Sequence, residues 1–158
     1  MLVEAITGAL TALEQSALGQ AARGSGWLYP LANLSHVLGA ALLVGAIVTF
    51  DIQVLRRAGS ARIVARAVIP VAAFGLVLQV ASGFVLLSAD AMPVAVNPVF
   101  QFKMAMLALG LANVAAFRWR FGGALKQDAP LDRAYGFAAV SLASWTLVLL
   151  AGRFIAYL

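Results

Sequence analysis

The stretch GWLYPLANLSHVLGAALLVGAIVTF, residues 26–50, decides the fold of this chain. It contains no Asp, Glu, Lys or Arg. At about 1.5 Å per residue, a helix of this length crosses a hydrocarbon layer about 30 Å thick. Trp27 and Tyr29 stand where aromatic residues mark a headgroup boundary, and Pro30 is tolerated because a first helical turn has spare N–H groups. The stretch predicts a membrane-spanning helix at about residues 27–50.

The rest of the 158-residue chain has the composition of a membrane protein. Hydrophobic residues make up 63% and charged residues 11%, whereas soluble domains are about 45–50% apolar. Further apolar segments predict spans at about residues 67–89, 98–117 and 134–157. We therefore expect an all-α integral membrane protein, in which residues 25–158 form a four-helix bundle. The expected location is the bacterial inner (plasma) membrane, where the chain is multi-pass and its surroundings are the lipid bilayer.

Residues 1–24 have a different pattern from the four apolar segments. Apolar side chains recur at helical spacing, and the acidic Glu4 and Glu14 fall off their face. This pattern predicts an N-terminal amphipathic helix that lies in the membrane interface. The apolar face is formed by Leu2, Ile6, Leu10 and Leu13.

The basic residues predict the orientation of the bundle. Most of them lie in the first-to-second and third-to-fourth connections, which the positive-inside rule places in the cytoplasm. Both termini are then extracytoplasmic, and we expect Asp51 to pair with Arg56, Arg57 or Arg118 as an anchor. The basic residues of the two connections are Arg56, Arg57, Arg62, Arg66, Arg118, Arg120, Lys126 and Arg133.

Several function classes are excluded by what the sequence lacks. There is no cysteine, so thiolate metal sites, iron–sulfur ligation and cysteine nucleophiles are excluded. The chain shows no phosphate-binding loop, no paired carboxylates and no hydrolytic triad. Topology and anionic lipid explain the cytoplasmic arginines. We expect neither hydrolase activity nor nucleic-acid binding.

Candidate functional residues lie in the outer half of the predicted bundle. His36, the one histidine, is nine residues from Trp27, while Lys103 and Met106 are five and eight residues from Pro98. Small residues share the face of His36, which predicts that it points into the bundle. Lys103 and Met106 start a stripe that continues through Gly110, Asn113 and Phe117.

Each of these residues also has a structural interpretation. A neutral histidine can be hydrogen-bonded across helices, here to Ser82, Gln101 or Ser144. Lys103 and Arg153 can extend their charged groups to the headgroups. Met104 and Met106 can simply pack. The sequence leaves these alternatives open.

Two motifs resemble a known family. The first-span pattern SHVLGAALLVGAIVTFDIQVLR, residues 35–56, and the third-span opening NPVFQFK, residues 97–103, are similar to an uncharacterised family of small bacterial four-helix membrane proteins. That family is distantly similar to the copper-resistance D type membrane proteins and to the haem-binding membrane protoporphyrinogen oxidases. The resemblance covers about residues 26–120. The resemblance to the oxidases implies functional roles for His36 and Lys103 of this chain. For Arg56 the correspondence is looser.

Two functions follow as hypotheses. In the first, His36 ligates the iron of a b-type haem, and Lys103, Met106 and Arg153 contribute to cofactor binding. Such a protein would transfer electrons in the membrane, with quinone or another membrane redox subunit as partner. In the second, the chain is a non-enzymatic accessory subunit or handles copper, since imidazole and thioether suit Cu(I). Whether it forms a homo-oligomer is left open.

Overall fold

The computed structural model describes residues 1–57, 59–127, 131, 133–155 and 157, and within them all regular structure is helical. Four helices are long and apolar enough to span a membrane. The expected all-helical fold is therefore confirmed, with four helices that could cross a membrane by their length and composition. In chain order the helices are α1 (Leu2–Gln15), α2 (Ala17–Gly24), α3 (Leu28–Leu55), α4 (Ala61–Ala89), α5 (Ala91–Val96), α6 (Pro98–Gln127) and α7 (Tyr135–Phe154).

Large apolar side chains point away from the bundle along the spans. Leu34 and Val37 on α3, and Val77, Val80 and Phe84 on α4, are each more than half exposed. Contiguous apolar surface of this extent is costly in water and stable against lipid. These helices are compatible with direct contact to a bilayer.

The helices extend beyond the predicted apolar segments. α3 continues through Asp51 to Leu55, α4 begins at Ala61, and α6 continues through Arg118 to Gln127. Hydropathy marks only the part of a helix that lies in lipid, whereas backbone hydrogen bonds continue the helix into polar sequence. Few residues therefore remain for the connections between the helices.

The N-terminal segment consists of two helices, where the sequence predicted one. Ser16 has an extended backbone and separates α1 from α2. Its hydroxyl accepts a hydrogen bond from the Gly19 N–H at 3.2 Å, which makes Ser16 the N-cap of α2. A serine in this position competes with helix continuation because its side chain satisfies the free N–H groups of a new helix.

Helices α1, α2 and α5 dock on one end of the bundle, which we name the cap end. Arg23 donates to the Ala89 carbonyl at the end of α4 and to the Glu14 carbonyl, both at 2.6 Å. The Glu14 carboxylate accepts from the Met92 N–H at 2.8 Å. An arginine at the last carbonyls of a helix satisfies groups that have no partner within the helix. The N-terminal segment is thus attached to α4 and α5 by side-chain hydrogen bonds.

The four spans pack as a row. α4 lies along α3, α7 packs on α3, and α6 packs on α7. Among the described residues, α4 and α6 do not pack extensively against each other. The end of the bundle opposite the cap end, where α3 ends and α4 begins, is named the loop end.

Two apolar clusters fill the bundle. The middle cluster is built on Leu43, Val44 and Trp145, which join α3 to α7. The loop-end cluster contains four phenylalanine rings whose centroids are 5.3–6.1 Å apart, in tilted and edge-to-face arrangements. These rings belong to Phe50, Phe117, Phe121 and Phe137.

Glycines bring α3 and α4 into backbone contact. A Cβ atom on Gly75 would lie 2.6 Å from the Leu43 nitrogen, and one on Gly39 would lie 3.0 Å from the Gly75 oxygen. The distance at Gly75 is shorter than side chains allow and the one at Gly39 is tighter than most Cβ contacts, so the close approach of the two helices depends on positions that lack a Cβ. The pairing of α3 with α4 therefore depends on Gly39 and Gly75.

We predict that Gly75→Ala destabilises the protein by about 1–3 kcal/mol, because the added methyl group meets the α3 backbone, which must move away. Thermal unfolding in detergent, followed by circular dichroism, measures this as a lower Tm. The matched control is Gly45→Ala, on α3, where a Cβ meets no atom within 4 Å. An equal loss of Tm in both variants would contradict the proposed contact.

Candidate functional site

His36 lies on the inward face of α3. It is separated by seven residues from Leu43 and by eighteen from Val54, and both spacings return to the same side of a helix. Leu43 and Val54 are buried, whereas His36 is only half-buried. The interior of the bundle is thus filled at the level of Leu43 and accessible at the level of His36.

Hydrogen bonds favour one tautomer of the imidazole. His36 Nδ1 lies 3.0 Å from Ser82 Oγ, which is itself 2.5 Å from the Leu78 carbonyl oxygen and can donate its one proton there. Ser82 Oγ then accepts from the ring, and the proton is on Nδ1. The Gln79 backbone is a further hydrogen-bond partner of the imidazole. A neutral ring in this form has its lone pair on Nε2. This is the arrangement in which histidine serves as a metal ligand.

Two further residues of α4 position His36. The Gln79 side-chain amide donates to the His36 carbonyl, which fixes the backbone of α3 at this point. A Cβ on Gly83 would lie 3.0 Å from His36 Cε1, so the ring rests directly on the backbone of α4. Gln79, Ser82 and Gly83 together hold the imidazole in one orientation.

Lys103 contributes a positive charge to the same region. Its side chain is half-buried, and its Nζ lies 3.5 Å from the Cβ position of Gly152 on α7. The Lys103 charge acts electrostatically on His36. The imidazole therefore rests on α4 and lies within electrostatic reach of a cation on α6.

The other predicted site residues lie farther from this pair or have different contacts. Met106 is half-buried on α6, about one turn along the helix from Lys103. Arg153 is exposed, donates to the Tyr157 hydroxyl at 2.5 Å and lies over the Tyr157 ring. The structure thus brings Lys103 into the surroundings of His36 and directs Arg153 to Tyr157.

Of the three hydrogen-bond partners expected for His36, Ser82 is the one that the structure provides. Gln101 instead donates to the Ala95 carbonyl, and the Ser144 hydroxyl donates to the Ser141 carbonyl. Position along the helix explains the choice, because Ser82 follows Gln79 by three residues and lies on the same α3-facing side of α4.

Asp51 has different surroundings from those that the sequence predicted. The sequence predicted an ion pair with Arg56, Arg57 or Arg118, but the described residues contain no ion pair of Asp51. Its side chain is buried inside the bundle, whereas these three arginines are exposed. Asp51 follows Val44 by seven residues and so shares its inward face, a helical spacing that could have predicted the burial.

Comparison with known proteins gives no relative, since no family model, curated protein or solved structure matches the chain. Among the described residues, no group of three or more His, Asp or Glu side chains could together hold a metal ion. A metal bound by His36 would therefore need ligands of another kind, such as a porphyrin or a thioether.

We predict that Ser82→Ala changes the tautomer of His36, because the ring loses the oxygen that accepts the Nδ1 proton. Nitrogen NMR of protein with labelled histidine reports this directly, since the chain has one histidine. In protein free of metal and cofactor, the unmodified chain should show the Nδ1–H form, and Ser82→Ala a mixture. Ser35→Ala, beside His36 on α3, is the control and should leave the signals unchanged.

Proposed function

We propose that this protein binds a b-type haem at the cap end of the bundle and transfers electrons in the membrane. The observation that carries the proposal is the hydrogen bond of His36 to Ser82, which leaves Nε2 free to ligate a metal. In haem proteins a neutral histidine supplies the axial nitrogen, and the hydrogen bond of its other nitrogen sets its orientation.

The residues around His36 fit a haem. The imidazole provides a nitrogen ligand, Lys103 provides a cation for a propionate group, and the spans provide apolar walls. His36 is only half-buried, so its ring is partly accessible. Met106 stays the candidate for a second ligand. A haem bound here would supply one-electron redox chemistry, and quinone or a membrane redox subunit is the proposed partner.

The chain's own residues have two tasks in this proposal. Ser82 and Gln79 hold the ring and the backbone of His36, so that the ligand nitrogen is oriented before any cofactor binds. Lys103 places a positive charge in a half-buried region, where it favours an anionic group over a cation. This charge makes a Cu(I) site at His36 and Met106 the weaker alternative.

We predict that the purified protein from a haem-replete host shows a reduced α-band in its visible spectrum, and that His36→Ala abolishes it. Lys103→Met should lower the amount of haem retained, because the propionate loses its cation. Arg153→Gln is the matched control, because its side chain is engaged with Tyr157, and it should retain the band. A colourless unmodified protein, or a band that survives His36→Ala, would refute the haem site.

The orientation in the membrane is also a proposal. The basic residues of the two loop-end connections favour a cytoplasmic loop end. The cap end with both termini is then extracytoplasmic, in the bacterial inner membrane. α1 and α2 then lie at the extracytoplasmic membrane–water interface. The exposed Ile6 of α1 there meets the boundary between lipid headgroups and acyl chains.

We predict opposite labelling of two single-cysteine variants, which is feasible because the chain has no cysteine. Gly26→Cys, at the cap end, should react with a membrane-impermeant maleimide added to intact cells. Gly59→Cys, at the loop end, should react only after permeabilisation. Both glycines are exposed, and a Cβ there meets no atom within 4 Å, so reactivity reports sidedness. The reverse pattern would invert the topology.

A further inference from the structure

Asp51 is a buried carboxyl group that the proposed haem site does not use. It lies one turn before the end of α3 and is only 3% exposed. Its Oδ2 atom has no hydrogen-bond partner among the described residues. Ser141 of α7 is its polar neighbour. An unpaired carboxyl oxygen at this depth requires an explanation, since buried polar groups are ordinarily hydrogen-bonded.

No ion pair of Asp51 occurs among the described residues. Basic residues come from α3 itself, from α4, from α6 and from the segment before α7, and Arg62 and Arg66 of α4 have interactions of their own. Ser141, the polar neighbour of Asp51, carries no charge. The basic residues of the described loop end are Arg56, Arg57, Arg62, Arg66, Arg118, Arg120 and Arg133.

A second unpaired polar atom lies on the same face of α7. Trp145 is 1% exposed, and its Nε1 has no hydrogen-bond partner within the described chain. Trp145 follows Ser141 by four residues, so it lies one helical turn nearer the cap end. The Nε1-bearing edge of its ring lies toward α6, because Cε2 would be 3.2 Å from a Cβ on Gly110. One face of α7 thus carries the hydroxyl group next to Asp51 and, one turn away, an unpaired donor.

This chemistry suits a proton better than a metal cation. An ionised carboxylate without a cation is strongly disfavoured in a buried position, and such groups neutralise by binding a proton. A sodium ion needs several oxygen ligands, whereas the described polar side chains at Asp51 are its own carboxyl group and the Ser141 hydroxyl. A protonated carboxyl group gains an O–H donor and keeps an acceptor, and both can use bridging water.

We propose that Asp51 is an intramembrane proton-binding site, whose carboxyl group holds a proton at neutral pH and exchanges it with water at the loop end. In the exchange the carboxyl O–H bond breaks, the proton passes to water that reaches the carboxyl group from the loop end, and the carboxylate is reprotonated from the same side. No electron moves in this step. The inference is independent of the haem, because its residues lie at the other end of the bundle from His36.

Infrared spectroscopy of the full-length protein in lipid tests this proposal. A protonated carboxylic acid has a carbonyl stretching band that a carboxylate lacks, and the band shifts in heavy water if the proton exchanges. We expect this band at neutral pH in the unmodified protein, its loss in Asp51→Asn and its retention in Asp90→Asn. Asp90 is the matched control because it is exposed at the end of α4.

Two further measurements separate a proton site from a merely buried side chain. Ser141→Ala should shift the frequency of the Asp51 band, because the carboxyl group loses its hydroxyl neighbour. Circular dichroism and gel filtration confirm that Asp51→Asn folds. The absence of an Asp51-dependent band at neutral pH overturns the proposal. So does a band that never exchanges, or one that added sodium chloride abolishes, the last result showing a cation site.

Discussion

The backbone contact between α3 and α4 is the constraint on which the rest of the structure depends. Gly39 and Gly75 let the two helices approach until main-chain atoms touch. At this distance the short side chain of Ser82 reaches the imidazole, and Gln79 reaches the His36 carbonyl. If the helices were farther apart, neither hydrogen bond could form. The same contact therefore supports both the fold and the orientation of the candidate ligand.

Much of this architecture could be predicted from the sequence because lipid imposes a simple rule. The apolar stretch at residues 26–50 is long enough to span as a helix, which satisfies its backbone groups in hydrocarbon within a single segment. Helical spacing also predicted that His36 and Lys103 lie in the same region, because position along a helix determines both depth and facing. Ser82 was among the partners expected for His36, and it is the partner found in the structure.

Other features could not be predicted, for reasons that lie in tertiary packing. The break at Ser16 depends on a hydroxyl competing with a continuing helix, and either outcome fits the local pattern. The proximity of Asp51 to exposed arginines in the sequence predicted ion pairs, whereas packing of α7 on α3 buried the carboxyl group. Arg153 was placed in the site by depth alone, but its contact with Tyr157 follows from their spacing of four residues.

The middle cluster separates two polar regions that lie on one axis of the bundle. His36 and Lys103 are on its cap side and Asp51 is on its loop side, with Leu43, Val44 and Trp145 packed between them. In a bilayer this layer would be a low-dielectric barrier, because apolar packing excludes mobile ions. The membrane voltage would then fall mainly across the middle cluster. Each polar region would equilibrate with its own compartment, and a charge gained at either would be felt as an electric field by the other.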